Sequence, residues 1–257
     1  RDREKFQSRY GQLIRVAAGD DAAGGTVGEY NGRLADAGEQ LTLMDAAGKL
    51  IQQFSYKTGF DWPERANGGG SSLEIIDLLG DVTDPENWRS SREFGGSPSA
   101  AGSAADVGIV INEILAHTAA SDEDRIELYN GGPQEINVTN WYVSDTSEDY
   151  FKSQITTPTV VPAFGYHVLL PVEIGLNLDG IEGGEILLIS ADASGRPRHF
   201  VDRVEFGLVG RGVSLGRWPT SAAPFVALES TTFGGPNAGP QISAVIISEI
   251  YFNPTVP

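Results

Sequence analysis

Clustered carboxylates are the residues of this sequence that could most readily do chemistry. Acidic side chains crowd two segments, one containing Asp122 and Asp124 and the other containing Asp145 and Asp149. Calcium in proteins takes six to eight oxygen ligands, which acidic loops supply from carboxylates and main-chain carbonyls. These four aspartates are therefore candidate calcium ligands, although acidic loops are more often simply solvated. No other cofactor is indicated.

A second pair of carboxylates, Glu113 and Glu127, lies on two neighbouring predicted strands. Glycoside hydrolases use two carboxylates on either side of a substrate cleft, so a hydrolase has to be considered. The sequence gives no sign of such a cleft, and both residues belong to the strand pattern itself. We interpret them as part of the polar, outward face of their strands.

One serine motif and three histidines complete the candidates for catalysis. Gly212-Val213-Ser214-Leu215-Gly216 matches the Gly-x-Ser-x-Gly turn of hydrolases, which needs a strand–turn–helix context and a later histidine. No histidine follows His199, and the surrounding pattern is that of a strand. His117 and His167 are not spaced as zinc ligands either. We predict that the chain has no catalytic residues and is not an enzyme.

Two tryptophan–proline pairs suggest contact with carbohydrate. Trp62-Pro63 and Trp218-Pro219 each place a large flat ring beside a rigid residue. Such rings stack on sugars, but more often they pack in a core because they bury a large apolar area. Trp62 and Trp218 are therefore candidate ligand-binding residues, with packing as the competing interpretation.

The composition narrows the classes of partner. Among 257 residues there are 35 acidic and 18 basic ones, which gives a formal net charge of −17, and there is no cysteine. This charge disfavours nucleic acid, which is bound largely through Lys and Arg at phosphates. The sequence contains no run of 18 apolar residues, so we expect no membrane span. Disulfides and thiolate chemistry are excluded by the lack of cysteine.

Short strands separated by turns dominate the pattern. Glu185–Ile189 and His199–Phe206 flank a turn centred on Asp192 and Gly195, which predicts a hairpin. Gln40–Met44 and Leu50–Tyr56 flank a similar turn. The one helical signal is a single turn after Asp84-Pro85, with Asp84 as its N-cap. This pattern predicts an all-β fold of the sandwich or barrel kind.

Several motifs occur twice, roughly one domain length apart. Gly38–Leu43 returns as Gly184–Ile189, Phe94-Gly95-Gly96 as Phe233-Gly234-Gly235, and Val110–Ile114 as Ile246–Ile250. A period of about 140 residues indicates tandem globular modules rather than a solenoid. We predict a partial module at residues 1–103 that lacks its early strands, a complete module at 104–240, and the first strand of a third module at 241–257.

The second module contains an ordered series of motifs: Asn112-Glu113-Ile114, Ile126-Glu127-Leu128-Tyr129-Asn130, Asn140-Trp141-Tyr142-Val143-Ser144-Asp145, Gly165-Tyr166 and the closing Phe233-Gly234-Gly235-Pro236. In this order they resemble the lamin tail domain family in its bacterial extracellular form. The resemblance implies an immunoglobulin-like β-sandwich, here in tandem copies. It implies little about activity, because such sandwiches carry many functions.

The expected function is a non-catalytic structural, adhesion or scaffold segment of a larger exported bacterial protein, located outside the cell or at its surface. Its expected partners are neighbouring modules or copies of itself. A strand at 242–252 that completes the partial module of the next copy would give a filament. The alternative is an accessory module that binds polysaccharide or calcium and is attached to a secreted enzyme.

Overall fold

The chain divides into two compact units. The computed structural model describes residues 3–10, 33–45, 47–59, 61–98, 100, 102, 108–118, 123–176, 178–220 and 224–242. Unit 1 comprises Arg1–Val107 together with Ile189–Val201, and unit 2 comprises Gly108–Leu188 and Asp202–Pro257. The predicted third module lies outside the described residues except for Gln241 and Ile242. The predicted module boundaries stay predictions.

Unit 1 has one short helix and two antiparallel hairpins within its N-terminal part. The helix is α1 (Arg3–Tyr10), and short 3-10 helices lie at Glu64–Ala66 and Pro85–Asn87. Strand β1 pairs with β2, and β3 pairs with β4. The bounds are β1 (Gly38–Met44), β2 (Leu50–Lys57), β3 (Leu73–Ile75) and β4 (Trp88–Ser90).

Aromatic packing joins the two hairpins of unit 1. The ring of Phe54 on β2 stacks on Trp88 of β4 with 5.0 Å between ring centroids, and Trp62 lies 6.1 Å from Trp88. The predicted helical turn precedes Trp88 and has the predicted cap, because the Asp84 carboxylate accepts a hydrogen bond from the Glu86 N–H at 3.0 Å. Large rings supply much buried apolar area, so this cluster is the packed centre of the two hairpins.

The first hairpin is closed by a turn that its sequence explains. One carboxylate oxygen of Asp45 accepts hydrogen bonds from the N–H groups of Ala47 (2.9 Å) and Lys49 (2.8 Å). Gly48 takes a positive φ of 79°, a conformation that glycine adopts without the steric penalty of a Cβ. The predicted hairpin at 40–56 is confirmed, with slightly wider bounds.

The regular elements described in unit 2 are mostly strands, and two of them extend into the segment Ile189–Val201, which belongs to unit 1. A five-stranded sheet has the order β11-β6-β5-β14-β15, a four-stranded sheet the order β13-β12-β8-β9, and β10 pairs with β7. A 3-10 helix lies at Pro171–Ile174. The bounds are β5 (Ile109–Leu115), β6 (Arg125–Asn130), β7 (Ile136–Asn137), β8 (Tyr142–Ser144), β9 (Ser153–Gln154), β10 (Val160–Val161), β11 (Tyr166–Leu169), β12 (Gly184–Ala191), β13 (Pro197–Phe206), β14 (Leu215–Arg217) and β15 (Phe225–Ala227).

The core of unit 2 is aliphatic and is supplied by both large sheets. Branched side chains suit the pleated surface of a strand, and removing them from water is the main favourable term in folding. Those that are almost fully buried are Ile109, Ile111, Ile114, Ile126 and Leu128 from the five-stranded sheet and Ile186, Leu187 and Leu188 from the four-stranded sheet. The predicted all-β class is confirmed for the described residues.

A change of register in β5 positions the polar residues of this sheet. Ile111 is opposite Leu128, but two residues later Glu113 is opposite Glu127, so Asn112 is an extra residue on β5. A β-bulge of this kind bends the strand and redirects side chains. It brings Asn112 and Glu113 towards the same side of the sheet, away from the aliphatic core.

The predicted lack of a membrane span agrees with the helices. In the part of the chain that the structure describes, none is long and apolar enough to cross a bilayer.

Candidate functional site

The polar side of β5 and β6 carries two buried carboxylates. Glu113 and Glu127 are cross-strand partners, and neither has any solvent-exposed area. Our interpretation of these residues as an outward, solvated face was therefore wrong. The alternation of side chains was read correctly, but a segment distant in sequence covers this face of the sheet.

The covering segment is the loop that contains Phe233-Gly234-Gly235. The carboxylate of Glu113 accepts hydrogen bonds from the Thr232 N–H (3.0 and 3.1 Å) and the Thr232 hydroxyl (2.8 Å). The other carboxylate, Glu127, accepts a short hydrogen bond from the Gly234 N–H. Two orphan main-chain donors of the loop are thereby satisfied by strand residues more than a hundred positions earlier.

Two asparagines complete this network. The Asn112 amide donates to Glu127 Oε1 at 2.8 Å and to Asn237 Oδ1 at 2.7 Å. The Asn237 amide donates to the main-chain oxygens of Asn112 (3.0 Å) and Arg217 (2.8 Å). We call the six residues Asn112, Glu113, Glu127, Thr232, Gly234 and Asn237 the carboxylate cluster.

Sequence reasoning missed Thr232 and Asn237. The available signal was indirect: the motif Phe233-Gly234-Gly235-Pro236 that follows Thr232 stands out in the sequence, and Asn237 comes directly after it. Nothing local to that motif says that it lies on Glu113 and Glu127, because the contacts span more than a hundred residues.

The two carboxylates of the cluster have no ion-pair partner among the described residues, because no Lys, Arg or His there forms an ion pair with Glu113 or Glu127. Burial raises the pKa of Glu127 to about 7; hydrogen bonds from Gly234 and Asn112 oppose this rise, and the charge of Glu113 adds to it. Burial disfavours the charged form of a carboxylate, so part of the Glu127 population keeps its proton near neutral pH.

The geometry of the cluster suits a structural role, in which it holds strands and loop together, better than it suits catalysis. A catalytic acid or base must come within hydrogen-bond reach of a substrate. Both carboxylates here are fully buried, and their oxygens already accept hydrogen bonds from Thr232, Gly234 and Asn112. The arrangement ties the first two strands of unit 2 to its closing loop.

The candidate calcium ligands are engaged separately. Asp145 forms an ion pair with Lys152 at 2.6 Å, Asp149 Oδ1 accepts from the Phe151 N–H at 3.0 Å, and Asp124 Oδ1 accepts from the Thr118 hydroxyl at 3.1 Å. Asp122 lies outside the described residues. Within the described ranges, no group of three or more His, Cys, Asp and Glu side chains could hold a metal ion. The calcium site stays a prediction.

The two candidate tryptophans differ in exposure. Trp62 is 8% exposed and packs near Trp88, which favours the packing interpretation for this residue. Trp218 is 40% exposed and precedes a cis proline, Pro219. A partly exposed ring leaves a carbohydrate contact available at Trp218 alone of the pair, and that role stays a prediction.

A shallow depression of about 630 Å³ lies elsewhere on unit 2. Its charged side chains are already paired: Arg203 contacts Glu185 and Glu205, each at 2.8 Å, and Asp145 contacts Lys152. It is lined by Asp145, Gly184, Glu185, Arg203, Glu205, Phe206 and Gly207. Neither candidate tryptophan is among these residues, so the depression and the candidate carbohydrate contact are separate features.

The serine and histidine candidates lie in surroundings typical of residues with a structural role. Ser214 is 1% exposed and directly precedes strand β14, so the Gly-x-Ser-x-Gly motif leads into a strand, as predicted. The Nδ1 atom of His117 lies 3.0 Å from the Val209 carbonyl oxygen. Burial lowers the pKa of His167, which favours its neutral form. Ser214, His117 and His167 form no nucleophile–base pair with one another. The third histidine, His199, lies with Nδ1 3.3 Å from the hydroxyl of Ser190, but that serine is only 4% exposed and its hydroxyl also accepts a hydrogen bond from the His199 N–H.

Comparisons of the chain with protein families, with curated proteins and with solved structures found no match.

Proposed function

We propose that this chain is a non-catalytic structural segment of a larger exported bacterial protein, built from lamin-tail-like β-sandwich modules. The observation that carries the proposal is the carboxylate cluster. The polar residues of the strand motifs, Asn112, Glu113 and Glu127, are buried and hydrogen-bonded to the closing loop. Motif residues used in this way serve the integrity of a module, which is what a scaffold or adhesion segment requires.

Matching turns support the proposal that the modules are copies. In the β12–β13 hairpin, Asp192 Oδ1 accepts from the N–H groups of Ser194 (2.9 Å) and Arg196 (3.1 Å), as Asp45 does in the β1–β2 hairpin. Gly195 has a φ of 77°, close to the 79° of Gly48. Two turns with the same residue types and the same hydrogen bonds are expected of duplicated modules.

The second pair of hairpins matches in register as well. Leu73 pairs with Ser90 in β3–β4, and Leu215 pairs with Ala227 in β14–β15. One residue further out, the Ser91 N–H donates to the Ser72 oxygen at 2.8 Å, and the Leu228 N–H donates to the Ser214 oxygen at 2.9 Å. The two proposed modules are therefore alike in a second pair of strands as well as in the turn.

Contacts between the two large sheets of unit 2 support a sandwich. Asp202 on β13 forms an ion pair with Arg217 on β14 at 2.9 Å, and both side chains are 13% exposed. The same carboxylate accepts from the Ile111 N–H on β5 at 2.8 Å. Two sheets that share an aliphatic core and are tied at one edge fit the packing of a β-sandwich.

Location and partners in the proposal come from the resemblance and the charge. The formal charge of −17 and the absence of cysteine suit a protein kept soluble by repulsion and independent of disulfides. The proposed partners are neighbouring modules and other copies of the chain. A role with nucleic acid is disfavoured by the excess of acidic residues.

The test replaces one cluster residue and one neighbour in the same loop. Asn237→Ala removes buried hydrogen bonds and leaves their partners unsatisfied, so the free energy of unfolding should fall by about 2 to 4 kcal/mol. Thr231→Ala, at an exposed position, should change it by less than about 0.5 kcal/mol. Denaturant titration of the full chain measures both values.

A second measurement separates a structural role from catalysis. The full chain and Glu113→Gln are assayed against a panel of glycoside substrates and compared in stability. A structural cluster predicts no turnover in either protein and a clear loss of stability in the variant. Turnover that Glu113→Gln abolishes without loss of stability would overturn the proposal, because residues kept for activity often reduce stability rather than support it.

A further inference from the structure

One short motif of unit 2 has the form of an acceptor for N-linked glycosylation. Asn137-Val138-Thr139 matches the pattern Asn-x-Ser/Thr, in which the middle residue is not proline. The other asparagine with a hydroxyl residue two positions later is Asn253, and Pro254 excludes it. A motif this short also occurs by chance, so its surroundings in the structure decide whether an enzyme can use it.

The acceptor side chain lies on the solvent side of unit 2. Asn137 ends strand β7 and is exposed, whereas the next residue, Val138, has no exposed area. Successive side chains of extended backbone point to opposite faces, so Val138 enters the core and Asn137 points out of it. Glu135, two residues before Asn137, is exposed as well. The chain on the N-terminal side of the acceptor is therefore open to an enzyme.

The nitrogen that would carry a glycan is not used by the fold. Asn137 Oδ1 accepts a hydrogen bond from the Thr139 N–H at 2.9 Å. This Asx turn holds the amide through its oxygen, and the described residues provide no acceptor for the Nδ2 amino group. A substituent on Nδ2 can thus project into solvent without the loss of a hydrogen bond.

Strand β10 supplies apolar surface next to the acceptor. Val160 is the cross-strand partner of Asn137 and is 42% exposed. The Cβ atoms of directly opposed residues on paired strands lie about 4.5 to 5.5 Å apart. The first sugar of a glycan on Asn137 would therefore cover the exposed part of Val160.

We propose that Asn137 is a site of N-linked glycosylation, modified by an oligosaccharyltransferase as the chain is exported. The donor is an oligosaccharide joined through a diphosphate to a lipid carrier. Asn137 Nδ2 attacks the anomeric carbon of the first sugar, a C–N bond forms, and the bond from that carbon to the diphosphate oxygen breaks. The lipid diphosphate leaves, and the proton lost from Nδ2 passes to a base of the transferase. This proposal rests on the export that is part of the proposed function.

The contacts of Thr139 indicate when the modification takes place. Its hydroxyl accepts a hydrogen bond from the Thr159 N–H at 2.9 Å and donates to the Thr159 carbonyl oxygen at 3.4 Å. The motif requires a hydroxyl at this position, so the transferase has to reach a group that the fold uses to join two segments. Modification therefore precedes the pairing of these segments, and the test is made on the chain during its export.

The experiment produces the full chain in bacterial cells that contain an oligosaccharyltransferase and its lipid-linked donor. A signal peptide is added at the N-terminus, and a second acceptor motif in a C-terminal tag reports that export and transfer have taken place. The wild type should carry two glycans, and Asn137→Gln should carry the tag glycan alone. Mass spectrometry measures the increase over the 27.4 kDa of the chain plus its tag, and the tryptic peptide 126–152 locates the inner glycan.

Two variants at Thr139 separate recognition of the motif from an effect on folding. Thr139→Ala should lose the glycan at Asn137, whereas Thr139→Ser, which keeps a hydroxyl, should retain it. Circular dichroism of Asn137→Gln should match that of the wild type, because the changed side chain is exposed. A wild type that carries only the tag glycan overturns the proposal, and so does a second glycan that remains in Asn137→Gln.

Failure of this site and failure of the proposed function give different results. The signal peptide is supplied, so the assay does not depend on the natural route of the protein. A tag glycan without a glycan at Asn137 overturns the site and leaves the stability effect of Asn237→Ala unchanged. Two glycans together with an Asn237→Ala variant as stable as the wild type would support the site and overturn the structural function.

Discussion

Glu113 and Glu127 lie side by side in unit 2, and neither forms an ion pair with a basic residue in the part of the chain that the structure describes. This arrangement makes the stability of the chain depend on pH. The pKa of Glu127 is about 7 in the folded chain, against 4.5 for an ordinary glutamate. Between these two values the folded state binds more protons than the unfolded state. The contribution of this residue is therefore fully present below pH 4.5 and is lost as the pH rises through 7.

We predict that the wild type loses up to about 3 kcal/mol of unfolding free energy between pH 5 and pH 8 through this group. Glu127→Gln cannot ionise, so it should show a much flatter dependence over the same range. The exposed Glu148→Gln should keep the wild-type dependence. Denaturant titrations at several pH values measure all three proteins, and an unchanged slope for Glu127→Gln would contradict the prediction.

The β1–β2 hairpin depends on glycine at two different places. Gly48 lies in the turn of β1–β2 with a φ of 79° and open space where a Cβ would stand. Gly38, at the start of β1, has a φ of 99°, and a Cβ there would meet the Tyr56 carbonyl oxygen and the Lys57 Cα, the latter at 2.7 Å. A side chain added at Gly48 would therefore meet only backbone strain. A side chain added at Gly38 would meet the same strain and would also clash with the main chain of β2.

Gly48→Ala should therefore lower the free energy of unfolding by about 1 kcal/mol, the penalty of a Cβ in the left-handed region. Gly38→Ala should lower it by at least twice as much, because the neighbouring strand has to move. Thermal or denaturant unfolding of the two variants beside the wild type checks the order. If both variants lost the same free energy of unfolding, β2 would have moved away from the new Cβ without an energetic cost, and the prediction would be wrong.

Local elements were predictable because their signals are local. Five consecutive residues contain every group that forms the turn at Asp192 and Gly195. The turn at Asp45 and Gly48 is equally local. Burial of Glu127 was not predictable in this way. Alternation places it opposite the aliphatic face, but the Gly234 loop that covers it comes 107 residues later. Pairing across that distance leaves no periodic signal.

Across the whole molecule, acidic residues outnumber basic ones, and the candidate calcium ligands are engaged locally. Asp145 is paired with Lys152, and Asp149 accepts from a nearby main-chain N–H. Screening of the general repulsion should stabilise the chain with any salt. A specific calcium site would add a stabilisation that only calcium provides.

We predict that calcium and magnesium chloride, at equal concentration, raise the melting temperature by the same amount. Differential scanning calorimetry of the full chain is the measurement, with sodium chloride at matched ionic strength as the control. A rise specific to calcium that disappears in Asp145→Asn would contradict this prediction and favour the candidate site at Asp122, Asp124, Asp145 and Asp149.

The carboxylate cluster also joins parts of unit 2 that are synthesised at different times. Strands β5 and β6 leave the ribosome before the closing loop, with Glu113 and Glu127 on adjacent strands and Asn112 as the one donor of the cluster already made. Thr232 and Gly234 follow more than a hundred residues later. Until then, repulsion between the two carboxylates opposes the first strand pairing, and non-local contacts are slow to form. The hydrogen bonds of Glu113 and Glu127 to the closing loop of unit 2 can therefore form only after that loop has been made.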